Sequence, residues 1–210
     1  MIKTAILVSG GGSNLQAIID AHIFGENPGC ELTAVLSSNP GAYALNRAKS
    51  ANIPSYVVDQ SLFPNASSFN TAIIHKLQDL DIELVVLAGY NAPVSAALLK
   101  QFPNRIINVY PSLLPAFAGM DGNTPAPYEA AIRCGCKLSG ATAYFVTEAA
   151  AGPIILQQAV EVWEGDTAIT LQRRITEEAE WKILPKAMAL YCQKRLTVEE
   201  NIVHVSEENR

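Results

Sequence analysis

The architecture of this chain is indicated by the stretch Thr4-Ala5-Ile6-Leu7-Val8-Ser9-Gly10-Gly11-Gly12-Ser13-Asn14 near its amino terminus. The continuous apolar run Thr4–Val8 is typical of a strand that is buried on both faces of a parallel sheet. Asn14–Ala21 carries apolar residues every three or four positions, which predicts a helix with one buried face. A strand that passes through glycines into a helix begins a β–α–β unit, so the stretch predicts an α/β fold.

The remaining sequence continues this alternation of strand-like and helix-like segments. Further strands are predicted at Leu32–Leu36, Ser55–Val58, Leu84–Leu87 and Ile106–Val109, near Ala141–Val146, and at Ile154–Val162. Helices are predicted at Tyr43–Ala51, Phe69–Leu80, Ser95–Phe102 and Tyr128–Cys134, and from about Ala168 into the 190s. The pattern predicts an α/β domain in which a mostly parallel, twisted, Rossmann-like sheet is flanked by helices.

Three features complete the expected organisation. Pro185 should kink or restart the last helix, because proline lacks the backbone N–H that a helix needs. Pro111–Pro127 is too rich in proline and glycine for regular structure, and a loop of this length is more often functional than not. No linker divides the chain, so we expect one domain over residues 1–210, in which residues 196–210 form a small hairpin and a polar tail.

Composition narrows the class of protein. The chain has 210 residues, 49% of them hydrophobic and 17% charged, as in an ordinary globular domain. A net charge of −5 without a Lys/Arg cluster argues against nucleic acid and gives no reason to expect a membrane partner. The start lacks the features of a signal peptide, so we expect a cytoplasmic protein. We expect a monomer or a homodimer with a small phosphorylated ligand.

The cysteines do not predict a metal site. Cys134 and Cys136 are separated by a single glycine, with no second ligand pair or nearby histidine to complete a zinc site. Together with Cys30 and Cys192 they are expected to be reduced structural thiols, as in most cytoplasmic proteins. No metal is expected.

The glycine stretch is the first candidate site. Glycines let the backbone approach an anion, and the amides at the start of the helix point toward it, so Gly12, Ser13 and Asn14 are candidate phosphate ligands. The alternative is a tight turn in which Ser13 or Asn14 merely caps the helix. A dinucleotide site is disfavoured, because the third glycine of its fingerprint falls on Leu15.

Four blocks in order resemble the folate-dependent formyltransferase family, in particular the branch that acts on glycinamide ribonucleotide. They are Ser9–Ile18 (SGGGSNLQAI), Val85–Tyr90 (VVLAGY), Asn108–Pro115 (NVYPSLLP) and Gly152–Gln157 (GPIILQ). The resemblance covers essentially the whole chain. It implies formyl transfer from the cofactor 10-formyltetrahydrofolate to a phosphoribosyl amine.

The resemblance also implies the ligand contacts. Gly12, Ser13 and Asn14 would bind the substrate phosphate, and Glu180 in the long last helix would bind the ribose. Two segments would hold the pterin of the folate. They are the backbone after Ala88-Gly89 and the loop before Gly152-Pro153, which supply Asn91, Ala92, Val94 and Ala150.

The reaction centre departs from the family pattern. The family uses an asparagine, a histidine and an aspartate, and this chain has Asn108, Tyr110 and, where the aspartate is expected, Ala150 or its neighbour Ala151. Asn108 can donate to an oxyanion, and the neutral phenol of Tyr110 can donate as well but cannot act as the base that histidine provides. Alternatively, Tyr110 is simply a half-buried aromatic residue at the end of a strand.

Other substitutions surround this one. The loop that usually carries two histidines has Asp121 and Asn123, and Tyr144 replaces a third histidine. Three functions therefore remain open. The protein is a divergent formyltransferase that uses Asn108 and Tyr110, a catalytically inactive protein that binds a phosphoribosyl ligand, or a different enzyme on the same scaffold.

Overall fold

A computed structural model describes residues 1–149 and 152–207, and within them the chain forms nine strands and seven α-helices. The strands are β1 (Ile2–Val8), β2 (Cys30–Ser37), β3 (Ser55–Val57), β4 (Leu84–Leu87), β5 (Ile106–Tyr110), β6 (Leu138–Phe145), β7 (Ile154–Glu161), β8 (Leu196–Glu199) and β9 (Ile202–Val205). The helices are α1 (Ser13–Ile23), α2 (Ala44–Ser50), α3 (Ala66–Asp79), α4 (Ala96–Gln101), α5 (Ala126–Arg133), α6 (Ala168–Ile175) and α7 (Trp181–Cys192).

One sheet organises the molecule, with the strand order β3-β2-β1-β4-β5-β6-β7. The pairs from β3 to β5 are parallel, whereas β6 is antiparallel to both β5 and β7. The predicted α/β class with a mostly parallel sheet is therefore confirmed. Because β1 lies beside β4, and β4 beside β5, the carboxyl ends of these three strands meet at one edge of the sheet, where open α/β folds bind their ligands.

The sheet is covered on both faces. One buried cluster includes Ile6 and Val8 of β1 with Leu15 of α1 and Leu184 of α7, and the other includes Leu7 of the same strand with residues of α3 and α4. Alternate residues of β1 thus enter opposite cores, which explains the continuous apolar run in the sequence. Strands β8 and β9 form a separate antiparallel hairpin after α7.

Helices α3 and α4 begin at other residues than predicted because side chains cap them, whereas α5 begins at Ala126 instead of Tyr128 without a side-chain cap. Helix α3 begins at Ala66 instead of Phe69, because the Asn65 side chain accepts a hydrogen bond from the amide of Ser68. Ser95, predicted as helical, is instead the residue that caps α4, with its hydroxyl oxygen accepting from the amide of Leu98. Capping side chains mark these starts more accurately than apolar spacing does.

The last helix is interrupted before Pro185. A π-helical turn, Thr176–Glu180, separates α6 from α7, and Pro185 lies inside the continuous α7. The helix therefore restarts at Trp181 and not at the predicted Pro185, whose missing N–H leaves the carbonyl of Trp181 without the usual donor four residues on. This turn contains Glu180, and π-turns occur frequently at functional sites.

Two features of the described residues bear on the class of protein. No helix among them has the length and apolar character needed to cross a membrane. They also contain no group of three or more His, Cys, Asp or Glu side chains placed to hold a metal ion. The four cysteines are free thiols.

Candidate functional site

A cavity of about 560 Å³ lies at the carboxyl ends of β1, β4 and β5. It is lined by the glycine stretch after β1, by the ends of β4 and β5, by part of the loop between β5 and α5 (residues 111–125), and by α6 and the π-turn. The predicted site residues that line it are Gly12, Ser13, Asn14, Asn91, Asn108, Tyr110 and Glu180. The fold thus brings together residues that lie far apart in the sequence.

The glycine stretch leaves the start of α1 open to a ligand. Gly12 is the N-cap of α1, in the left-handed conformation with φ of 74°, and no described side chain caps the helix start. The first amides of a helix have no partners within the helix, so those of Ser13 and Asn14 are available to an anion. The capping alternative for Ser13 or Asn14 does not describe this structure.

Gly12 is required here for two reasons. A φ of 74° is unfavourable for any residue with a Cβ atom, and a Cβ at this position would lie 2.7 Å from the Cβ of Ala44. At Gly10 and Gly11, in contrast, an added Cβ would have open space within 4 Å. The close approach of α2 to the loop therefore depends on one glycine of the three.

Arg47 is a site residue that the sequence analysis missed. It lies on α2 and lines the cavity, and its Nε donates to the carbonyl of Gly11 at 2.9 Å while Nη1 donates to Oε1 of Gln16 at 3.0 Å. Its positive charge therefore sits beside the open helix start, where it favours an anion. A single arginine on a helix gives no local signal of this role, because only the tertiary fold brings it to the glycines.

Asn14 and Glu180 are joined directly. Nδ2 of Asn14 donates to Oε2 of Glu180 at 2.9 Å, and both side chains are buried. Burial raises the pKa of the Glu180 carboxyl, and the bond from Asn14 only partly opposes this. The predicted phosphate and ribose contacts thus form one polar unit at the edge of the cavity.

Two buried polar atoms of the cavity have no hydrogen-bonding partner within residues 1–149 and 152–207. They are Oδ1 of Asn14 and the hydroxyl of Tyr90, and both residues line the cavity. Buried polar groups are rarely left unsatisfied in native proteins, and exceptions call for a partner from a ligand or from water. The cavity therefore fits a polar ligand.

Asn108 and Tyr144 face each other across β5 and β6, where they are direct partners in the antiparallel ladder. Nδ2 of Asn108 donates to the hydroxyl oxygen of Tyr144 at 3.1 Å. An amide nitrogen carries two protons, so one remains for a ligand in the cavity. The bond fixes which way the Asn108 amide points.

The hydroxyl of Tyr110 is bound to two backbone carbonyls of the loop that follows β5. Its hydroxyl lies 2.7 Å from the carbonyl oxygen of Phe117 and 2.9 Å from that of Met120, and it can donate its single proton only to one of them at a time. Tyr110 is buried, with 8% of its surface exposed. Donation to an oxyanion would require the phenol to release these carbonyls, and the catalytic role of Tyr110 stays a prediction.

The phenols of the cavity stay neutral. Burial is the main cause that raises the pKa of Tyr90, Tyr110, Tyr128 and Tyr144, and neighbouring groups such as Asp121 beside Tyr110 and Glu180 beside Tyr128 add to it. A neutral phenol donates a hydrogen bond but does not remove a proton. The tyrosines therefore supply no base at neutral pH.

The residues predicted to contact the pterin do not all lie at the cavity. Asn91 lines the cavity, and its amide donates to Oγ of Ser9 at 2.9 Å. Ala92 is buried in the core beneath α3 and α4, and Val94 packs against that core, so neither residue is among those that line the cavity. Ala150, like Ala151, lies outside the described residues. The folate contacts stay predictions.

The histidines lie elsewhere. His22, His75 and His204 are exposed, and none of them lines the cavity. Gln172 and Thr176, which the sequence analysis did not single out, do line it from α6 and the π-turn.

Together, a mostly parallel sheet, an uncapped helix start at its carboxyl edge and a polar cavity define an α/β protein with the geometry to bind an anionic ligand. The sequence model of the family described as formyl transferase matches residues 2–188. The chain belongs to the formyl transferase family, and the resemblance found in the sequence is confirmed.

Two relatives place the chain within the family. Phosphoribosylglycinamide formyltransferase of Haemophilus influenzae is 37% identical over 206 residues, which cover 98% of this chain and 94% of the relative. The human trifunctional purine biosynthetic protein adenosine-3 is 37% identical over 209 residues, 98% of this chain, but the chain spans only 20% of that relative. The chain thus corresponds to nearly all of one relative and to one part of the other.

A solved structure supports the same placement. Glycinamide ribonucleotide transformylase 1 from Symbiobacterium toebii superposes with a TM-score of 0.91 at 41% sequence identity, covering 99% of this chain and 95% of that one. The fold of this chain is therefore the formyltransferase fold.

Proposed function

We propose that this protein transfers a formyl group to the amine of a phosphoribosyl amine of the glycinamide ribonucleotide type, in purine biosynthesis. The second substrate would be 10-formyltetrahydrofolate, which supplies the formyl group. The relatives named for this reaction support the proposal, since two of them match almost their entire length. Substrate and donor are carried over from those names to this chain as part of the proposal.

The observation that carries the proposal is the composition of the cavity. One end has the open helix start of α1, the Arg47 charge and the Asn14–Glu180 pair, which suit a phosphate and a ribose. The other end has Asn108, with an amide proton left to donate. A phosphorylated amine bound at the first end would present its reactive group toward the second.

Within this proposal Asn108 polarises the formyl oxygen. One donor of this kind is worth about 10²–10³ in rate, because it meets the charge that develops on that oxygen. Tyr110 takes from this position a base that is worth about 10²–10⁴ in rate, so we propose that the reaction is slower in this protein than with a histidine at position 110. Asn91, Ala92, Val94 and Ala150 remain the proposed folate contacts.

A single-turnover assay tests the proposal. Wild-type protein in excess over glycinamide ribonucleotide and 10-formyltetrahydrofolate is expected to give formylated product, and Asn108→Ala to give it about 10²–10³ times more slowly. The double reversion Tyr110→His with Ala150→Asp is expected to raise the wild-type rate. No product from either wild type or reversion contradicts the proposed substrates.

A second candidate function is supported by the phenol of Tyr110, whose proton is directed to loop carbonyls instead of the cavity. In this case the protein binds the phosphoribosyl ligand without transforming it. Calorimetry separates the candidates: binding of glycinamide ribonucleotide without product in the wild type, and with product in the reversion, supports the binding protein.

A further inference from the structure

The loop between β5 and α5, residues 111–125, brings a carboxylate to the cavity. Its segment Gly119–Asn123 lines the same cavity as the glycine stretch, and Asp121 lies in the middle of that segment and is exposed. One carboxylate oxygen, Oδ1, accepts from the amide of Asn123 at 2.9 Å. Asp121 forms no ion pair with any described residue, so its charge is not neutralised by a neighbouring cation.

Tyr110 contacts the residues on both sides of Asp121, which are Met120 and Gly122. Its hydroxyl binds the carbonyl of Met120, the residue before Asp121, and that of Phe117. On the other side, a Cβ at Gly122 would lie 3.1 Å from two ring carbons of Tyr110 and 3.0 Å from Cδ of Pro111. Gly122 thus lets the backbone pack flat against the ring. Tyr110 therefore fixes the segment that presents Asp121.

The two side chains are also close enough to interact electrically. The Asp121 charge is one of the causes that raise the pKa of Tyr110, after burial and the neighbouring Tyr144. A negative charge disfavours the phenolate, so the phenol stays a donor to the loop carbonyls.

The other titratable groups of the cavity are poor proton acceptors. The guanidinium of Arg47 has no acceptor atom, the phenols are neutral, and none of the three histidines lines the cavity. The Glu180 carboxyl is buried and already accepts from Asn14. Among the described residues that line the cavity, Asp121 is therefore the one carboxylate that is exposed to it.

We propose that Asp121 accepts the proton of the substrate amine, and that Tyr110 is a positioning residue that holds Asp121 at the cavity. The inference rests on the proposed formyl transfer. It assigns a function to two of the substitutions in this chain jointly. Tyr110, which stands where the family has its histidine, holds the loop in place, and Asp121 in that loop is the proposed base.

The proposed step conserves atoms and charge. The amine lone pair forms an N–C bond to the formyl carbon, and the C=O π pair moves onto oxygen, which Asn108 stabilises. The nitrogen, now positive, gives a proton to the Asp121 carboxylate. The C=O bond re-forms, the bond from carbon to N10 of the folate breaks with its electron pair on nitrogen, and the Asp121 carboxyl returns the proton to that nitrogen.

The test compares Asp121→Asn with a matched control. Asparagine keeps the oxygen that accepts from the Asn123 amide, so the turn is retained while the base is removed. Asp59→Asn is the control, because Oδ1 of Asp59 accepts from the amide of Ser61 at the same 2.9 Å in the same kind of turn, away from the cavity. We expect Asp121→Asn to lower the single-turnover rate by about 10²-fold or more with the Kd for glycinamide ribonucleotide unchanged, and Asp59→Asn to change neither.

A double-mutant cycle tests the role given to Tyr110. Tyr110→Phe removes the hydroxyl that binds the Phe117 and Met120 carbonyls, and it is expected to slow the wild type by lowering kcat more than it raises KM. In the Asp121→Asn background the same change should have no further effect, because there is no base left to position. A double variant that is slower by the full product of the two effects overturns the positioning role.

The outcomes also separate this inference from the proposed function. A wild type that forms product and an Asp121→Asn variant within twofold of it overturn the role of Asp121 and leave the formyltransferase proposal standing. A wild type that forms no product from glycinamide ribonucleotide and 10-formyltetrahydrofolate overturns both.

Discussion

The two ends of the cavity differ in what they are made of. At the end proposed to bind phosphate, called the phosphate end below, the candidate ligand groups are backbone amides at the start of α1, supported by Gly12 and by the Arg47 side chain. At the reaction end, they are side chains of Asn108, Tyr110, Asp121 and Tyr144, each of which depends on a neighbour for its orientation. The first end combines backbone amides with the side chains of Arg47, Asn14 and Glu180, whereas the groups named at the second end are all side chains.

This difference explains which end can change. A site made of amides is insensitive to most substitutions, because every residue except proline carries the same N–H. A site made of side chains changes with each substitution, and a loss at one position can be offset only by a group that the fold brings from another. The phosphate end keeps the family pattern, whereas at the reaction end histidine has become Tyr110 and the loop carries Asp121.

The largest expected effect is at the phosphate end, from Gly12→Ala. The new residue must adopt a left-handed conformation, and its Cβ meets the Cβ of Ala44 at 2.7 Å. Strain and overpacking together are expected to lower the free energy of unfolding by about 2–5 kcal/mol, measured by urea denaturation. Binding of glycinamide ribonucleotide should be lost as well, because the helix start moves.

Gly11→Ala is the matched control for this change. A Cβ at Gly11 meets nothing within 4 Å, so the free energy of unfolding should change by no more than about 0.5 kcal/mol. Equal effects of the two substitutions would show that the glycine stretch is not built around the approach of Ala44, and the contrast between the two ends would lose its structural basis.

A smaller effect is expected from Glu180, the carboxyl that couples to the phosphate end. Burial raises its folded pKa above the unfolded value of about 4.3. Between these values the folded state binds a proton that the unfolded state lacks, so this contribution to stability is complete below about pH 4.3 and is lost as the pH rises through the folded pKa. Each unit of difference is worth about 1.4 kcal/mol.

Glu180→Gln removes the titration while it keeps an oxygen for Nδ2 of Asn14. The free energy of unfolding of the variant, measured against pH by chemical denaturation, should lack the decline that wild type shows above about pH 4.3. Asp166 makes stability change with pH in the opposite direction. Its bonds with Arg174 lower its pKa, so its contribution to stability is lost as the pH falls below about 3.9. The acidic part of the curve of unfolding free energy against pH should therefore be the same in wild type and variant. Parallel curves at all pH values would contradict the prediction.

The sequence could place the residues of the proposed phosphate end because their position depends on local pattern. A buried strand, three glycines and an amphipathic helix are consecutive, so Gly12, Ser13 and Asn14 could be placed without knowledge of the tertiary fold. The α/β class followed from the same periodicity. Arg47 could not be placed in this way, because its contact with Gly11 spans 36 residues and depends on how α2 packs on the loop.

At the proposed reaction end, the sequence could identify the residues but could not predict how their side chains are arranged. The sequence identified Asn108, Tyr110 and Asp121 as the positions that matter, since each departs from or retains a family residue. It could not show that the Tyr110 hydroxyl would be directed to loop carbonyls seven and ten residues away, because side-chain direction depends on packing. The joint roles of Tyr110 and Asp121 could be inferred only from the structure.

The smallest effect is expected from Tyr144→Phe, which tests whether the two ends are independent. The change removes the hydroxyl that accepts from Nδ2 of Asn108 at 3.1 Å and leaves the ring in place. Loss of one hydrogen bond of about 0.5–1.5 kcal/mol predicts a roughly two- to tenfold slower single-turnover rate, because the Asn108 amide is no longer held in one orientation. The Kd for glycinamide ribonucleotide, measured by calorimetry, should stay the same, since none of the bonds described at the phosphate end involves Tyr144. A weakened Kd with an unchanged rate would mean that Tyr144 supports the ligand and not the reaction, and that the division of the cavity into a backbone end and a side-chain end is wrong.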